Sequence, residues 1–155
     1  MKSPRLFLLL TLLLFSPIVS IGQSMITLHV NTEGLKSNPS NDPESFCYFE
    51  NKGDVRTYMT VANLAEYLIW NGVSTTNEKD SIHIKRIQRV RGTNVFNSEK
   101  INSIGKEKVV RAIIYNPTQP GNDYKYKIHF KINGTGQNYV IDPLIRTNNT
   151  IIPKN

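Results

Sequence analysis

Between Tyr124 and Ile132 the chain alternates without a break. Tyr124, Tyr126, Ile128, Phe130 and Ile132 fall on one phase, and Lys125, Lys127, His129 and Lys131 on the other. A helix buries a stripe that recurs every three to four positions, so strict period two is satisfied only by a strand with one face in a core and one in water. This segment therefore demands a sheet with apolar cover on one side.

Shorter runs of the same kind surround it. Residues 25–30 alternate, with Ile26, Leu28 and Val30 on one side. Residues 46–49 and 56–62 are β-rich and flank Asn51-Lys52-Gly53-Asp54, whose turn chemistry suits a hairpin. Residues 66–70 form a further strand that Asn71-Gly72 should end. In 81–90, Ile82 and Ile84 point inward but Ile87 breaks the phase, which predicts a bulge near Lys85 and Arg86. Residues 108–115 run to Asn116-Pro117, and Gly134-Thr135-Gly136 turns the chain into 138–142 before Leu144 and Ile145. The stretch 31–44, rich in Asn, Ser, Pro and Asp, reads as a long loop. About eight short strands and no convincing amphipathic helix predict an all-β fold: a single two-sheet antiparallel β-sandwich of jelly-roll or immunoglobulin-like type.

The N-terminus has a different character. Lys2 and Arg5 precede an apolar run over 6–19, and Ser20-Ile21-Gly22 supplies small residues where a signal peptidase cuts. The run is shorter than the roughly 20 residues a permanent span needs. Residues 1–22 are expected to be a removed signal peptide, and 23–155 the β domain, exported to the periplasm or the medium with no transmembrane anchor. Losing Lys2 and Arg5 leaves seventeen basic against twelve acidic residues, a net charge of +5. That balance suits a glycan or an anionic envelope polymer, and export makes nucleic acid an unnatural target. The single cysteine, Cys47, excludes an internal disulfide. It reads as a small buried hydrophobe.

Three segments, taken together, resemble the bacterial inclusion-body protein family named for PixA and AidA. Leu28-His29-Val30-Asn31-Thr32-Glu33-Gly34-Leu35 with Asn38-Pro39-Ser40-Asn41-Asp42-Pro43 looks like the family's opening strand and N-P-S-x-D-P loop. Leu68-Ile69-Trp70-Asn71-Gly72-Val73-Ser74 is similar to its I-x-W-x-G-x-S. The strand Tyr124–Ile132 followed by Tyr139-Val140-Ile141-Asp142-Pro143-Leu144-Ile145 looks like its last strands. The resemblance implies one β-sandwich, no settled enzymatic activity, self-association and, for some members, sugar binding.

Candidate site residues follow from chemistry alone. Trp70 offers an aromatic face for a sugar ring, although its phase with Leu68 points it into the core. Asn71, Glu78 and Asp80 belong to a polar loop suited to hydroxyls; Glu78 and Asp80 supply oxygen ligands of the kind Ca²⁺ takes, without EF-hand spacing. Asp142 could hold a hydroxyl or a cation, or simply make an Asx turn before Pro143. His29, His83 and His129 lie on separate strands with no zinc spacing. Lys125, Lys127 and Lys131, with Lys85, Arg86, Arg89 and Arg91, form either a basic surface for anions or a solvated strand face. No nucleophile–base or paired-acid motif stands out, so no enzyme is expected. The leading expectation is a carbohydrate-binding, lectin-like module; the alternative is a self-assembling structural or inclusion-type protein, a homo-oligomer of the envelope or extracellular space.

Overall fold

In the computed structural model the described residues are 22–38, 42–50 and 53–148. The proposed signal segment therefore lies outside them, apart from Gly22. The chain is mostly β: strands β1 (Gln23–Val30), β2 (Cys47–Tyr48), β3 (Met59–Asn63), β4 (Tyr67–Ser74), β5 (Ile82–Arg91), β6 (Lys100–Asn102), β7 (Val110–Ile113), β8 (Tyr124–Ile132), β9 (Tyr139–Ile141) and β10 (Leu144–Asn148), with one short helix, α1 (Thr32–Ser37), and a 3₁₀ turn at Pro43–Phe46.

The strands form two sheets. The first has the order β2-β1-β4-β7; the second has the order β3-β10-β8-β5-β6, with β9 also paired to β8. Among the described residues ten strands replace the roughly eight expected, and the sheets are mixed rather than purely antiparallel. β1 runs parallel to β4 along its whole length, from Gln23↔Tyr67 to Val30↔Ser74, and β3 runs parallel to β10. Side-chain periodicity reports which face is buried, and both directions of pairing leave it unchanged.

β8 behaves as its alternation requires. Its even-numbered residues are all buried and its odd-numbered ones are half-exposed. β5 covers one edge of β8, with a register shift between Ile84 and Arg86 that places the bulge where Ile87 falls out of phase. The other edge of β8 is shared by β10 near Tyr124 and β9 near Phe130, with Asp142-Pro143 between them. The inward side chains of both sheets join one core. Trp70, Phe96, Tyr124 and Tyr126 meet there edge to face or tilted, with centroids 5.1–6.0 Å apart.

Three local expectations are corrected. The segments around β2 and β3 make no hairpin, because β2 pairs with β1 and β3 with β10. Asp54 turns the chain between them: its side chain accepts from Arg56 N at 2.9 Å and its carbonyl from Tyr58 N at 3.0 Å. Asn71-Gly72 does not end a strand; β4 continues to Ser74. Gly72 is required by packing, since a Cβ there would stand 2.4 Å from Ile82 Cγ2 on the facing sheet. The 31–44 loop contains α1, started by Asn31, whose Oδ1 accepts from Gly34 N at 2.8 Å. A helix of six residues is too short to show a period.

Two of the segments that carry the family resemblance touch one another. Thr32, fully buried, shares a hydrogen bond of 2.8 Å with Ser74, and Glu33 N donates to Thr76 Oγ1 at 3.2 Å. Thr32 and Ser74, one from each segment, thus tie α1 to the end of β4.

Candidate functional site

The five residues nominated from the sequence do not converge. Trp70 is completely buried, with its indole N–H donating to the Tyr126 hydroxyl at 3.2 Å, so it presents no face to a sugar. Asn71 lies on the opposite, outer face of β4, and its Oδ1 is buried with no hydrogen-bond partner among the described residues. Glu78 is exposed in the β4–β5 loop.

Asp80, in the same loop, is held as a clasp. Both its oxygens accept from Lys36 Nζ at 2.7 Å, and Oδ1 accepts from Asn133 Nδ2 at 2.9 Å. The Lys36 hydrogen bond, with those from Asn133 and Thr32, pulls its carboxyl down to about 2. It joins α1, the loop and the β8–β9 turn, and its charge is met by Lys36. Asp142 sits at the β9–β10 corner, 3.3 Å from Lys125 Nζ, far along the chain from the other four. No group of three or more His, Cys, Asp or Glu side chains is placed to hold a metal among the described residues. Cys47 is buried, and burial, then the Glu44 charge, pushes its thiol up to about 12, so it is unreactive.

A different set of residues does converge. On the outer face of the second sheet a pocket of about 480 Å³ is lined by Lys85, Arg86 and Asn102, the loop residues Ser103 and Gly105, and His129, Lys131 and Asn138. Its chemistry comes from the pairing of β5 with β8. His83 stands opposite Lys131 and Arg86 opposite His129, while the bulge inserts Lys85 between Ile84 and Arg86. Two consecutive cations thus reach the same side of the sheet, which regular alternation would forbid. Asn102, across from Arg86 on β6, accepts from its Nε at 2.8 Å and fixes the guanidinium.

Among the described residues no carboxylate lines this pocket, and none of Lys85, Arg86 and Lys131 has an ion-pair partner. Elsewhere Lys36, Arg56, Arg89, Arg111, Lys125 and Arg146 are paired, whereas Lys127 and Arg91 on the same two strands, like the pocket cations, have no ion pair among the described residues. Two imidazoles on this side of the sheet are shifted, chiefly by burial. His129 is held below its ordinary range by burial, then by Arg86 and Lys127; His83 by burial, then by Lys108 and Lys85. Asn138 Nδ2 lies 3.2 Å from His129 Nδ1, and His129 Nε2 is buried without a partner among the described residues.

Lys85, Arg86 and Lys131 are among the seven cations that the sequence offers as either a basic surface or a solvated strand face, and the broken phase at Ile87 anticipates the bulge that brings Lys85 and Arg86 together. Asn102, Ser103 and Asn138 carry no signal of their own; only the β5–β6 and β8–β9 pairings bring them to the pocket.

No family model matches the chain, and no curated protein matches it. Among solved structures it is similar to the crystal structure of the inclusion body protein PixA from Burkholderia cenocepacia J2315. The TM-score is 0.56 at 12% identity, and the match covers 86% of this chain and 100% of that one. The resemblance read from the three sequence segments therefore holds at the level of the fold.

Proposed function

We propose that this chain is a non-enzymatic, self-assembling protein of the inclusion type, exported through its N-terminal signal segment. The observation that carries the reading is the likeness to an inclusion body protein over that protein's entire length. A glycan-binding role built on Trp70 loses its stacking platform, because that ring is sealed in the core.

The sheet edges support assembly through β3. Natural proteins blunt exposed edges with short strands and charges. β2 has two residues; β6 and β7 are short and carry Lys100 and Arg111. β3 has five residues, none charged, and pairs only with β10 among the described residues. It also displays Val61, 55% exposed, and Leu64, just past the end of the strand, is exposed as well. An uncharged edge of this kind is a template for strand addition by a second copy.

Thin-section electron microscopy with antibody labelling, on bacteria producing the full-length chain, tests both halves of the reading. Labelled dense bodies outside the cytoplasmic membrane are expected. Label dispersed evenly through the cytoplasm would refute it.

A further inference from the structure

We propose that the pocket over β5, β6 and β8 is a binding site for a phosphate monoester. The inference is independent of the assembly reading, since β3 lies at the far edge of the same sheet.

The lining is one-signed. Lys85, Arg86 and Lys131 supply three permanent positive charges, and Asn102, Ser103 and Asn138 supply amide and hydroxyl groups. Unpaired cations gathered on a concave surface focus an attractive field for anions. The charges also come from two strands and a bulge rather than from one residue. A planar carboxylate is matched by a single bidentate arginine, whereas three donors approaching from separate positions suit a tetrahedral, doubly charged oxyanion. Arg86 is prepared for such a partner, because Asn102 holds Nε and leaves the outer guanidinium nitrogens to the pocket.

Size points to an ester rather than to the free ion. A volume of about 480 Å³ lies within the range of small-molecule sites and exceeds what a bare phosphate fills. The amides and Ser103 can meet hydroxyls on the esterified group, and among the described residues no large apolar side chain lines the pocket to favour a hydrocarbon one. Two sources share this chemistry, a soluble sugar phosphate and the exposed phosphate of a surface lipid.

Isothermal titration on protein purified from the full-length sequence, at low ionic strength, decides the question. The probes are glucose 6-phosphate, inorganic phosphate, glucose, and phosphatidylcholine vesicles with and without phosphatidic acid. Saturable binding of glucose 6-phosphate but not glucose is expected, weakened about tenfold or more by Arg86→Gln and separately by Lys131→Gln, as befits loss of one charge-assisted hydrogen bond. Arg91→Gln, on the same strand but outside the pocket, should change affinity less than about twofold. Binding only to the phosphatidic acid vesicles, with the same variant pattern, assigns the lipid source. No saturable binding by any phosphate probe, or equal weakening by Arg91→Gln and Arg86→Gln, overturns the proposal.

Discussion

Trp70 on β4 and Tyr126 on β8 join the two sheets through one buried hydrogen bond: the indole N–H donates to the phenol oxygen at 3.2 Å, with the rings 6.0 Å apart and inclined at 69°. Both side chains are fully buried, so neither group has water as an alternative. Tyr126→Phe preserves the packing and strands the indole donor. An unsatisfied buried donor costs about 1–3 kcal/mol, and chemical denaturation should show a loss of that size with an unchanged m-value.

β8 permits a sharper contrast within one strand. Phe130 is fully buried against Tyr139 at 5.4 Å, while Lys127 stands on the half-exposed face. Phe130→Ala should leave a cavity and cost about 3–5 kcal/mol, whereas Lys127→Ala should cost about 0.5 kcal/mol or less. Equal losses in the two denaturation curves would contradict the register of the strand.

That register is legible in the sequence because alternation states directly which side chains point inward. Strand direction and partnership are not, since β1 beside β4 shows the same pattern whether the pair is parallel or antiparallel. Gly72 illustrates a second limit. Asn-Gly signals a turn locally, but the residue is there to admit Ile82 from the other sheet. The pocket is half visible in the sequence: the broken phase at Ile87 announces the Lys85–Arg86 bulge, while its position opposite His129 and Lys131 exists only in the paired sheet. The polar loop after Trp70 reads as a ligand site because clasp residues such as Asp80 have the same chemistry as binding residues.

Acidity should act in two stages. His83 and His129 are both held below the ordinary imidazole value of 6.5, so the folded chain binds fewer protons there than the unfolded one. Their contribution is complete above that value and declines as pH falls through the lowered folded values. Asp80, lowered from 3.8 to about 2, contributes fully above 3.8 and loses that contribution as pH falls toward 2. Thermal unfolding from pH 8 to pH 2 should show both declines, and Asp80→Asn should diminish the lower one.

Sedimentation velocity over a concentration series, on the unmodified protein and on Val61→Lys, tests the assembly reading most directly. Val61 is 55% exposed, so the substitution should alter fold stability by no more than about 0.5 kcal/mol while placing a charge on the open edge of β3. The expected result is a mean mass that climbs with concentration for the unmodified protein and stays near the monomer for Val61→Lys. A single monomeric boundary for the unmodified protein at every concentration would contradict self-assembly.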